Sequence, residues 1–179
     1  MKPKTIAAVI VATILAIVFI GRVKAQEQED LAKVADKVSH QLQIKMPGWK
    51  HKHGEPMLGS KNVIEDFWSI PNRIVKISIL PHKSANEARE RLRAFVQYDR
   101  EKEELNGLGD EAYAWGYGLS NIAFRRGRFT IYVGTTANVD GDADARILSE
   151  KERGEREQLE MRRLSREFAK HASNAIDLP

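Results

Sequence analysis

Cysteine is missing from all 179 positions. That excludes disulfides, thiol chemistry and lipid attachment through a cysteine. A charge excess is missing too, once the N-terminus is set aside. Four of the 29 Lys and Arg residues lie in residues 1–25, which hold no acid, so the remainder carries 25 basic against 25 acidic residues. The net charge of +4 sits in that first segment, and general attraction to nucleic acid or an anionic membrane is not supported. Aromatic residues are sparse at 7%, so where they cluster is informative. Only one long apolar run occurs, and it lies at the N-terminus.

That run occupies residues 5–20 without a charge, behind Lys2 and Lys4. A basic start, an apolar stretch and Val23-Lys24-Ala25 before Gln26 form the pattern of an export signal, with cleavage between Ala25 and Gln26. The alternative is an uncleaved inner-membrane anchor made by residues 5–20, supported by Arg22 and Lys24 but short of the roughly 20 residues of a bilayer span. Both readings place residues 26–179 outside the cytoplasm, periplasmic or secreted, as a single domain, with membrane contact only through an uncleaved segment. About 150 residues suffice for one domain with its own core.

The clearest β signal lies at residues 105–134, LNGLGDEAYAWGYGLSNIAFRRGRFTIYVG. Residues 121–125 and 128–133 alternate with period two, placing Ile122 and Phe124 on one side and Phe129, Ile131 and Val133 together. Arg126-Gly127 supplies a tight turn, because glycine reaches positive φ without a steric penalty. Glu111–Trp115 (EAYAW) reads as a third strand, and Gly116 and Gly118 mark the turn between them. Gly107-Leu108-Gly109-Asp110-Glu111-Ala112 satisfies G-x-G-x-x-A, yet it follows a charged run over residues 99–104 and enters a strand rather than a helix. A dinucleotide site needs the helix N-terminus that is absent here, so no cofactor is expected. G-L-G-D-E-A-Y followed by an aromatic strand and a hairpin closing on R-x-G resembles a pattern of exported, mostly uncharacterised bacterial α+β domains. The resemblance covers about residues 85–133 and the C-terminal helix pattern. It implies an exported α+β domain and carries no catalytic set.

Elsewhere the periodicity alternates between 3.6 and 2. Residues 26–44 predict a helix with Leu31, Val34, Ala35, Val38 and Leu42 inward, stopped by Met46-Pro47-Gly48. Residues 49–60 hint at a short strand running into a loop. Residues 61–70 and 73–80 predict a hairpin about Pro71-Asn72, with Val75, Ile77 and Ile79 as a core stripe. Ser84-x-x-Glu87 is a capping box opening a helix to about residue 100, with Ala85, Ala88, Leu92, Phe95 and Val96 inward. Residues 135–144 read as a polar loop. Residues 147–158 are almost wholly charged and broken by Gly154, suggesting a solvated helix with a Glu152–Arg156 pair. Residues 159–176 regain an apolar face through Met161, Leu164, Phe168, Ala172 and Ala175. The sum is an α+β fold: an antiparallel sheet of five to six strands in two strand-rich halves, with three helices packed on it.

Chemistry-bearing patterns are incomplete. Gly118-Leu119-Ser120-Asn121-Ile122 lacks the last glycine of a nucleophile elbow. Asp140-Gly141-Asp142-Ala143-Asp144 opens like a calcium loop, but its sixth position is Ala145 and its twelfth Lys151. Glu65-Asp66 and Asp110-Glu111 are adjacent carboxylates, which strand geometry sends to opposite faces. His51 and His53 share one side of an extended segment and are weak metal candidates, since further ligands would have to come from Glu55, His82, His40 or His171. No metal is assigned. Trp115, Tyr117, Arg125, Arg126 and Arg128 form the best candidate ligand or partner surface, because arginine beside aromatics suits carboxylates, phosphates or a protein partner. The expectation is an envelope binding or interaction module without catalysis, its partner an envelope protein or small molecule and not nucleic acid. The alternatives are an envelope hydrolase or metal enzyme using His51 and His53, and a structural partner docking through residues 150–163.

Overall fold

The computed structural model describes residues 28–55, 62–142 and 147–176. Residues 1–25, read above as an export signal or anchor, and the Ala25/Gln26 junction lie outside the described residues, as do positions 143–146 of the calcium-like stretch. The first helix, α1, spans residues 28–45. Seven strands and two further helices follow: β1 (Lys50–Gly54), β2 (Ile64–Ile70), β3 (Arg73–Pro81), α2 (Ala85–Val96), β4 (Lys102–Leu105), β5 (Glu111–Trp115), β6 (Asn121–Arg126), β7 (Phe129–Ala137) and α3 (Glu150–Ile176). No helix among the described residues is long and apolar enough to cross a membrane.

All seven strands join one antiparallel sheet in the order β1-β2-β3-β7-β6-β5-β4. The fold is therefore α+β, with more strands than the five to six expected. Two meanders, β1–β3 and β4–β7, meet where β3 pairs with β7, register Ile77↔Val133. Local turn chemistry builds each meander. Pro71-Asn72 closes β2 on β3, with Asn72 at φ 63, a left-handed conformation asparagine tolerates better than most residues. The turn between β6 and β7 is Gly127-Arg128, one residue later than the sequence suggests, with Gly127 at φ 55.

One face of the sheet packs against α1 and α3. Val75, Ile77, Ile79, Ile122, Phe124, Ile131 and Val133 meet Leu31, Ala35, Val38 and Leu42 of α1 and Leu164, Phe168, Ala169 and Ala172 of α3. Every one of these follows from a period of 2 on a strand or 3.6 on a helix. Phe168 stands edge-on to Trp49, with ring centroids 4.9 Å apart, and lies 6.2 Å from Trp68. The opposite face carries α2, whose Ala88, Leu92 and Val96 are buried and whose Ser84 side chain accepts from the Glu87 N–H.

Several expectations need correction. Residues 102–104 of the charged run join Leu105 in the edge strand β4; its Lys and Glu side chains suit an edge that must not recruit another chain. Residues 135–137 belong to β7 rather than a loop, since Arg73–Val75 pair with them. α2 ends at Val96, four residues early; Phe95 is about half exposed, and Ala85 is exposed rather than inward. α3 runs unbroken through Gly154, and Glu152 caps its start by accepting from Ser149.

Candidate functional site

The five residues of the sequence-predicted surface lie in different settings. Arg125 is almost fully buried and donates to Asp110 Oδ2 at 2.8 Å and to the Gly127 carbonyl at 3.0 Å. Arg126 donates to Asp110 Oδ1 at 2.9 Å, and Arg128 to Asp30 Oδ2 at 2.8 Å on α1. Asp110 thus clamps the hairpin tip to the turn before β5. Its partial burial pushes the carboxyl up, but the Gly127 N–H, Arg126 and Arg125 outweigh that and hold it below the usual range. Tyr117 sits exposed in a single 3-10 turn, Tyr117–Leu119. Trp115 faces the other way, toward α2.

There it helps to line a cleft of about 500 Å³ that α2 leaves uncovered. Phe95, Trp115 and Tyr132 form an aromatic wall: Phe95 is edge-on to both, at 4.9 Å from Trp115 and 4.6 Å from Tyr132. Burial pushes the Tyr132 phenol up to about 12, so it is a neutral wall group. The floor carries an ion pair, Lys76 Nζ to Glu65 Oε1 at 2.6 Å, and Ser78 Oγ donates to the same carboxylate oxygen at 3.2 Å. Strand alternation places these groups: Glu65, Lys76, Ser78 and Tyr132 all point away from the α1/α3 core.

Asp66, next to Glu65, points to the other face as expected, and meets β1. The register pairs His53 with Asp66 and His51 with Trp68, so both imidazoles stand over the α1 side of the sheet edge. His53 Nδ1 lies 2.6 Å and His51 Nε2 3.2 Å from Asp66 Oδ1. Ser39 of α1 donates to Asp66 Oδ2 at 2.7 Å. Glu55, His82, His40 and His171 do not join this cluster; the third group is Asp66, which in the sequence stands out only as half of an adjacent carboxylate pair. Its signal was present: an acid two residues before Trp68, on the inward stripe of a strand.

A third polar cluster joins β3 to α3. Glu160 accepts from Arg163 and from Arg73 Nε, the latter at 2.8 Å, while Arg73 also reaches Asp142 at 3.1 Å. Arg163 most of all, then Arg73, against the opposing effect of burial, hold the Glu160 carboxyl at about 2 rather than 4.5. A depressed folded-state value contributes stability above the unfolded value, and that contribution is lost as pH falls through 4.5 toward 2. Glu160→Gln should therefore flatten the loss of stability between pH 5 and pH 2, read as the urea midpoint at each pH. Parallel curves for the two proteins would contradict this assignment.

No family model, no curated protein and no solved structure matches this chain. The functional reading therefore rests on the cleft and the N-terminal segment.

Proposed function

We propose that the chain is an exported cell-envelope module that binds a small amphipathic molecule, without chemistry on it, in the cleft between α2 and β2. The observation that carries this reading is the cleft itself: three aromatic rings on one wall and a single ion pair, Glu65–Lys76, on the floor. Small-molecule sites have this composition, mostly apolar with a few placed polar groups, and about 500 Å³ falls in their usual size range. The ligand class that fits has a flat apolar body to lie against Trp115 and Tyr132 and one charged group to compete for Lys76 or Glu65. Export is supported by the basic start and the uncharged run of residues 5–20.

Two-dimensional NMR with a set of aromatic carboxylates and amines tests the cleft. Shifts of the Trp115 indole signal and of the Lys76 and Tyr132 amides are expected, and Trp115→Ala should abolish them. Shifts confined to the Arg126–Arg128 turn, or none, would reject the reading. Fractionation and intact mass of a C-terminally tagged full chain test compartment; cytoplasmic material retaining residues 1–25 would reject export.

A further inference from the structure

We propose that His51 Nε2, His53 Nδ1 and Asp66 Oδ1 bind one divalent transition-metal ion of the zinc class at the β1 edge of the sheet. This site is on the opposite face from the cleft and is independent of it.

The three atoms lie within 4.8 Å of one another, each from a different side chain. Around a tetrahedral ion with bonds of about 2.0–2.1 Å, neighbouring ligand atoms are about 3.3 Å apart. His51 Nε2 and Asp66 Oδ1, at 3.2 Å, already have that spacing. His53 Nδ1, at 2.6 Å, would have to move outward by about 0.7 Å, on the same tetrahedral spacing. The His53 side chain, 70% exposed, has room to do so, exchanging its hydrogen bond to Asp66 Oδ1 for the ion, while the side chains of His51 and Asp66 are 14% and 3% exposed. Two ligands are thus fixed in place and the third can close over the ion.

The nitrogen of His51 supplies a second, independent observation. It is buried, points close to a carboxylate oxygen, and yet makes no aligned hydrogen bond among the described residues. A buried imidazole nitrogen normally finds a partner, and the place where this one is aimed is where the other two ligand atoms converge. Its direction is also fixed. The His51 ring stacks on Trp68 with centroids 4.4 Å apart and planes 17° from parallel, and stands edge-on to His53 at 4.8 Å. Behind the carboxylate, Ser39 donates to Asp66 Oδ2, leaving Oδ1 for the ion; metal sites commonly orient their carboxylate ligands this way.

Ligand chemistry selects the ion. Two imidazoles with one carboxylate suit zinc and its neighbours among the first-row divalent metals, whereas magnesium and calcium require sets built from oxygen. Three protein ligands leave at least one further position for water or for a group from another molecule.

The test uses tag-free full-length protein, since a polyhistidine tag would itself bind the ion. Titration calorimetry with zinc chloride is expected to show one equivalent bound and a raised Tm, with magnesium chloride producing no heat. His51→Gln and Asp66→Asn should each weaken zinc binding by at least tenfold. Because Asp66 is buried and its variant could unfold, His53→Gln at the exposed ligand serves as the decisive variant; it should weaken zinc binding while the metal-free protein still unfolds cooperatively, with its Tm lowered only slightly by loss of the contact to Asp66. Absence of stoichiometric zinc binding at micromolar concentration would overturn the site, as would zinc binding undiminished in His53→Gln.

Discussion

Phe168→Ala is expected to lower the unfolding free energy by about 3–5 kcal/mol, the range for deleting a fully buried ring. The ring has no exposed surface and stands where α3 meets the sheet, touching the Trp49 and Trp68 rings. Truncation removes both the transfer energy of the ring and its packing partners. Collapse around the void is hindered because the neighbouring groups are themselves rigid rings on β2 and just before β1. Urea unfolding should show a lower midpoint with an unchanged slope. A loss below about 1.5 kcal/mol would mean that the site closes over and that this aromatic cluster is not the keystone of the α3 face. Trp68 also underlies His51, so the same cluster that holds α3 sets the direction of one metal-ligand candidate.

Asp110→Ala should cost about 2–4 kcal/mol, somewhat less than the 3–5 expected when a wholly buried ion pair loses one member. The reduction follows from exposure: the Asp110 side chain is 32% exposed, so solvent screens its half of the pair. The Arg125 side chain is only 6% exposed, and after the substitution its buried charge would keep the Gly127 carbonyl as an acceptor but lose its carboxylate partner. Asp110 also accepts from the Gly127 N–H, which helps hold the positive-φ turn. The β6–β7 hairpin tip should therefore show faster amide exchange as well as lower stability. Combining Asp110→Ala with Arg125→Met should recover part of the loss, since the stranded charge is then gone. Full additivity of the two single costs would sink the clamp interpretation. For the sequence-predicted surface the consequence is plain: Arg125, Arg126 and Arg128 are engaged with Asp110 and Asp30 in the fold itself.

The candidate cleft was only half visible beforehand. Trp115 stands out as an aromatic beside glycines, but Phe95 follows the helical stripe of Ala88, Leu92 and Val96, which predicts it in the core. The stripe is real; what moved Phe95 out of the core is that α2 covers only the β5–β7 side of its face, so the end of the helix overhangs open sheet. That extent depends on where the sheet's two halves join, a long-range property. The sheet-edge cluster has the same history. His51 and His53 share a side because strands alternate, but in place of the Glu55, His82, His40 or His171 expected as further ligands, the register of β1 on β2 sets Asp66 against His53.

By itself the sequence determined whatever depends on neighbours in the chain. The hairpins about Pro71-Asn72 and Gly127, the EAYAW strand, the Ser84 cap and the inward stripes of three helices, Ala85 and Phe95 excepted, all follow from local turn chemistry and periodicity. It also determined that Glu65 and Asp66 serve different faces, since successive strand residues cannot do otherwise. The tertiary structure alone decided which strands became neighbours: β3 meeting β7, the charged KEEL segment recruited as an edge, and β7 prolonged to Ala137 by pairing with Arg73. It likewise carried α3 through Gly154, where a glycine costs about 1 kcal/mol in helix propensity but the packed half beyond it, from Leu164 to Ala175, more than offsets that. Register and packing are set by contacts between residues far apart in the chain. Both candidate sites are built from such contacts, which is why the residues were legible singly and their assembly was not.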